Sequence, residues 1–141
     1  VAGDEKILKK FLLYRTYHGA TMPVQHQIAS AAAWQDEAHV FENRALYRQK
    51  FNEFKSIMEP VYSLTMPDAG FYFWMHVPID DDVFARRLYE EKNVTVLPGR
   101  FLGRDINGCN PGASHIRLAL VAPPDECAEA AHRLRDFMQS L

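Results

Sequence analysis

Up to Pro60 apolar positions recur at helical spacing; beyond it, alternating and helical stretches take turns. Asp4 precedes a run in which Ile7, Leu8, Phe11 and Leu12 fall on one side and Lys6, Lys9 and Lys10 on the other. That spacing predicts a helix with Asp4 as its N-cap and Gly19 as its C′ residue. After a loop over Ala20–Pro23, the alanine-rich stretch Gln25–Trp34 predicts a second helix with Pro23 at its first turn. From Asp36 to about Glu59, Val40, Tyr47, Phe51, Phe54 and Met58 form one continuous helix face, closed by Pro60. A helix of that length commonly links or buttresses two bodies.

Strand character then takes over. Ser63–Met66 is a short strand candidate, and Pro67–Gly70 is a turn. Phe71–Val77 is aromatic and β-branched, with Phe71, Phe73, Met75 and Val77 on one face and Tyr72, Trp74 and His76 on the other. Asp80, Asp81 and Asp82 open a further helix, where carboxylates suit its dipole. Val83, Phe84, Leu88 and Tyr89 supply its buried side, and Asn93 ends it. Val94–Leu97 is a strand stopped by Pro98-Gly99, and His115–Val121 is another beyond a loop rich in Gly, Asn and Pro. Pro123-Pro124-Asp125 starts a terminal helix with Cys127, Ala131, Leu134, Met138 and Leu141 in register. Three helices followed by ββαββα predict an α+β domain, a three- to four-stranded, mainly antiparallel sheet with helices packed on one face.

Composition narrows the function classes. The 141 residues are 48% apolar, enough for one compact domain or one domain plus part of another. A net charge of -2, with both signs interspersed, predicts neither a nucleic-acid groove nor a membrane surface as partner. Cys109 and Cys127 are too few for a disulfide scaffold and read as free thiols in a reducing compartment. Lacking a membrane-length apolar run and a signal-peptide pattern, the chain reads as cytoplasmic. The histidines are scattered at 18, 26, 39, 76, 115 and 132, so no metal site is predicted. Val1-Ala2-Gly3-Asp4 lacks an initiator methionine and reads as the end of a strand turning into a helix.

One residue stands out against its surroundings. In the strand His115–Val121, Arg117 interrupts an apolar alternation of Ile116, Leu118 and Leu120. An exposed sheet face accounts for it, and so does a fixed carboxylate receptor, whose planar fork pairs two N–H groups with two oxygens.

Three segments in order carry a resemblance. Pro67-x-x-Gly70-Phe71-Tyr72-x-Trp74, Val94-x-Val96-x-Pro98-Gly99-x-Phe101 and Ile116-Arg117-Leu118 are together similar to the small-domain signature of class I pyridoxal-phosphate (PLP) aminotransferases. Tyr14–Gly19 and the run Asp36–Arg44 look most like N-succinyldiaminopimelate aminotransferases within that family. The resemblance implies that residues 1–35 are the tail of a PLP-binding large domain and 36–141 a C-terminal small domain.

It implies that Arg117 binds the substrate α-carboxylate and that Pro98, Gly99 and Phe101 border the substrate channel. Arg15, His18 and Arg100 become candidates for a distal carboxylate, with an ordinary solvated or interface role equally open. Tyr17 and Thr21 match a loop reaching towards the cofactor across a homodimer interface. The implied reaction moves an amino group from glutamate to a keto acid, N-succinyl-2-amino-6-oxopimelate in lysine biosynthesis. The lysines at 6, 9, 10, 50, 55 and 92 all fall on polar faces or ends of predicted helices and read as solvated. None matches the cofactor lysine, whose place in the family lies upstream of Val1, so the chain alone is expected to be inactive and without bound PLP. A stand-alone, non-catalytic domain that binds a carboxylate or a protein partner is the competing reading.

Overall fold

The computed structural model describes residues 2–19 and 21–141. Val1 of the opening strand end and Ala20 of the predicted loop lie outside the described residues. The chain divides into two units, one up to Val40 and the other Phe41–Leu141.

In the first unit Asp4 caps α1 (Glu5–His18), its carboxylate accepting the N–H groups of Lys6 at 2.9 Å and Ile7 at 3.2 Å. These are two of the donors a helix start leaves without partners. Gly19 takes an extended conformation (φ -149°), so the left-handed C′ role predicted for it is not used. α2 (Val24–Gln35) follows, and no side chain of α1 or α2 is buried. α3 (Ala38–Met58) begins at the end of this unit and continues through the second.

The second unit is built on a three-stranded sheet in the order β1 (Tyr72–His76), β3 (His115–Ala119), β2 (Leu97–Pro98), antiparallel throughout. One face is the core, where Phe73, Met75, Ile116 and Leu118 meet Phe51, Phe54 and Met58 of α3. α4 (Asp81–Lys92) and α5 (Pro124–Met138) add Phe84, Leu88, Ala131, Leu134 and Phe137 to the same core. Phe51 meets Phe73 edge-on at 4.8 Å, and Phe84 meets Phe137 likewise at 5.1 Å. Each such pair adds about 0.5–1.5 kcal/mol beyond its burial.

Five expectations change in the second unit. Ser63–Met66 is not a strand; the Leu64 carbonyl is bonded by Lys55 Nζ at 2.8 Å instead of by a neighbouring strand. Of the strand predicted over Val94–Leu97 only Leu97 enters the ladder, joined there by Pro98, although Val94 and Val96 are buried. A cleft of about 680 Å3 lies between Val94–Thr95 and Leu118–Leu120, where the ladder would have continued. Tyr89 stands exposed, and Asp81, read as a dipole partner, is completely buried. Lys50, read as solvated, is buried as well: its amine donates to the Leu120 carbonyl at 3.1 Å and lies 5.0 Å from the Tyr47 ring centre.

Candidate functional site

The opposite sheet face is where Arg117 points. Alternation places Tyr72 and Trp74 of β1 beside His115 and Arg117 of β3. Arg117 lies directly across from Trp74 on one side and from Leu97 on the other. Its guanidinium carbon sits 5.7 Å from the Tyr72 ring centre. Its Nε is buried and has no hydrogen-bond partner among the described residues. Leaving such a donor unpaired costs about 1–3 kcal/mol, a cost that an arriving carboxylate would remove. The Arg117 fork is therefore chemically ready for an anion.

Further aromatic rings share this sheet face. Trp74 stacks on His115 with ring centres 5.5 Å apart and planes 10° from parallel, and His76 meets His115 edge-on at 5.2 Å. The His115 ring nitrogen Nδ1 lies 2.8 Å from the Ala113 carbonyl, which fixes the ring's direction.

Next to this face the chain turns at Pro98 and Gly99, both buried, into a single 3-10 turn over Gly99–Phe101. A methyl group at Gly99 would collide with the Gly112 carbonyl oxygen and stand 2.8 Å from the Trp74 indole. Only glycine lets the two ends of this loop approach so closely. Asn110 fastens its middle, donating to the Arg100 carbonyl at 3.1 Å and accepting the Gly112 N–H at 2.9 Å. Phe101 is exposed.

Arg100 is already surrounded by acids. Its guanidinium pairs with Asp81 at 2.7 Å, Asp80 at 3.2 Å and Asp82 at 3.6 Å. With three carboxylates around it, little positive charge is left for a distal substrate carboxylate, so the geometry gives Arg100 a loop-holding task. Burial alone would push the Asp81 carboxyl up. The Arg100 main-chain N–H, the Arg100 guanidinium and the Ser114 N–H outweigh it and hold the carboxyl below its ordinary value.

Of the predicted site residues, the second unit thus brings together Arg117, Pro98 and Gly99, with Phe101 and Arg100 at the start of the adjoining loop. Arg15, Tyr17, His18 and Thr21 belong to the first unit, where all four are exposed and His18 stacks on Tyr14 at 4.7 Å. Tyr72, Trp74 and His115 were not among the candidates for this face. The period-two pattern places each of them on the Arg117 side, which is the signal that finds them. Asp81 carried no such signal, because nothing local distinguishes it from Asp80 and Asp82.

PLP chemistry needs an amine placed to form an imine with the cofactor. All six lysines lie on helices, none on the strands or loop of this face. Lys9 pairs with Glu5 at 2.7 Å, Lys55 with Glu59 at 2.9 Å, and Lys50 is held in the core. The residues present do not make a cradle for the cofactor. Among the described residues no group of three or more His, Cys, Asp or Glu could hold a metal ion, and no helix is long and apolar enough to cross a membrane.

The family model for aminotransferase class I and II matches residues 6–134. A solved aminotransferase structure from Neisseria meningitidis is 48% identical with a TM-score of 0.86, over 97% of this chain and 35% of that one. "Probable aminotransferase Rv1178" of Mycobacterium tuberculosis is 30% identical over 141 residues, covering 95% of this chain and 31% of its own length. A probable N-succinyldiaminopimelate aminotransferase from Thermus thermophilus is 33% identical with a TM-score of 0.62, over 75% of this chain and 27% of that one. The chain spans about a third of the length of these relatives.

Proposed function

Because the chain belongs to the aminotransferase class I and II family, we propose that it is the part of an aminotransferase that receives the substrate carboxylate. Residues 36–141 then form the C-terminal small domain, and residues 1–35 the tail of the large domain. The observation that carries this reading is Arg117, a cation in an aromatic setting with a buried, unpartnered Nε.

Arg117 grips the α-carboxylate through two parallel N–H···O bonds. That grip fixes the direction of the Cα–H bond, which is how positioning lowers a barrier. Tyr72 and Trp74 keep water from the ion pair, and Pro98, Gly99 and Phe101 form the rim. Arg15 and His18 are assigned to a distal carboxylate, with Tyr17 and Thr21 reaching the cofactor of a neighbouring subunit in a homodimer. The cofactor assigned to the full-length, cytoplasmic protein is PLP.

We assign glutarate-type chemistry to the donor, glutamate, and N-succinyl-2-amino-6-oxopimelate to the acceptor. The likeness to the Thermus thermophilus protein supports the acceptor. The full-length protein is to be assayed with glutamate against that keto acid, pyruvate and oxaloacetate. The highest kcat/KM is expected with the succinylated acceptor. A tenfold preference for another keto acid overturns the substrate, and no amino transfer to any of them overturns the aminotransferase reading.

A further inference from the structure

The loop from Gly99 to Ser114 leaves β2 and returns into β3, the strand that carries Arg117. Both of its ends meet one buried carboxylate. Asp81, the first residue of α4, has no exposed surface. Its Oδ2 accepts the Arg100 main-chain N–H at 2.9 Å. Its Oδ1 accepts the Arg100 Nε–H at 2.7 Å and the Ser114 N–H at 3.3 Å. Asp80 and Asp82 touch Arg100 through its guanidinium alone and are 68% and 46% exposed, and Asp82 Oδ1 also accepts the Val83 N–H at 2.9 Å.

Ser114 needs holding. Its φ of 58° is a left-handed conformation that a residue with a side chain rarely adopts. The next residue, His115, is the ring that stacks on Trp74, and Trp74 is the direct neighbour of Arg117 across the sheet. At the other end of the loop, Gly99 packs against the Trp74 indole. Whatever sets the ends of this loop therefore sets the aromatic wall beside the guanidinium.

We propose that Asp81 is a positioning residue of the Arg117 site, clamping both ends of the Gly99–Ser114 loop and thereby fixing the His115–Trp74 wall against which a carboxylate docks. This rests on the reading of Arg117 as a carboxylate receptor.

The test uses the full-length protein with its cofactor bound, with glutarate as a competitive probe and trypsin cleavage after Arg104, an exposed loop residue, as a second readout. Asp81→Asn is expected to raise the glutarate inhibition constant about tenfold or more and to speed cleavage after Arg104 to a similar degree. The double variant Asp80→Asn/Asp82→Asn, which leaves the clamp intact, is expected to change either by no more than about twofold. Arg117→Gln separates the two claims. If it loses glutarate while Asp81→Asn keeps the wild-type constant, the clamp is wrong and the receptor stands. If it keeps glutarate, the receptor falls and the clamp with it. Equal effects from the double variant would mean that general charge, not the clamp, acts on the site. Should Asp81→Asn not fold, Arg100→Gln takes its place. A raised constant together with faster cleavage after Arg104 supports the clamp, whereas a raised constant with unchanged cleavage makes Arg100 a direct ligand and overturns it.

Discussion

Lys50, a buried cation, and Arg117, a half-buried one whose Nε is buried, are treated differently by their surroundings. Lys50 has its carbonyl partner and a ring beneath it, so it is a satisfied structural group. Arg117 keeps a buried donor without one. Arg117→Lys in the full-length protein removes the fork but keeps the charge, and is expected to lower kcat/KM by the equivalent of about 2–4 kcal/mol. An unchanged kcat/KM would take Arg117 out of the site. The two thiols differ as well. Burial pushes the Cys127 thiol up, and its S–H donates to the Ala122 carbonyl at 3.3 Å, while Cys109 is exposed. Since the thiolate is the reactive form, iodoacetamide on the native protein should label Cys109 at least about tenfold faster than Cys127. Comparable labelling of both, read by mass spectrometry, would contradict the burial.

Elements supply what residues cannot. The helical face of α3 was readable because Phe51, Phe54 and Met58 keep one period over several turns. Strand β2 was not, because a valine-rich segment has the same alternation whether or not a partner strand stands beside it. The contact between α4 and the loop after β2 joins residues 19 and 33 positions apart and leaves no local pattern. It does leave a pH signature. The folded-state pKa of Asp81 lies below its ordinary value, about 3.9 in an unfolded chain. Its stabilisation is thus present above that value and is lost as pH falls through the lower folded value. The gap in urea midpoint between the wild-type chain and Asp81→Asn should narrow from about pH 7 to about pH 3. A gap that stays constant would place the contribution of Asp81 elsewhere.

At the scale of the whole molecule, the core belongs to the second unit. Among the described residues every buried apolar side chain lies at Phe51 or beyond, whereas Ile7, Leu12, Leu13, Ile28 and Trp34 are exposed in the first. Helices of 14 and 12 residues without buried side chains have little to stabilise them beyond their own hydrogen bonds. Residues 36–141 expressed alone should therefore unfold cooperatively within about 1 kcal/mol of the complete chain, measured by urea titration. A molten or aggregated product would show that residues before 36 carry part of the core's stability.

The sequence by itself determined the helices with capped ends and long apolar faces, strand β1, the α+β class and the oddity of an arginine in an apolar strand. These are local matters of periodicity and backbone preference, and each is written within a window of some ten to twenty residues. Only the tertiary structure decided that Arg117 keeps an unpartnered Nε, that Arg100 is committed to three aspartates, and that Asp81 and Lys50 are buried. Whether a charged side chain is solvated, paired or left waiting depends on groups brought together from distant positions, and no spacing along the chain records them.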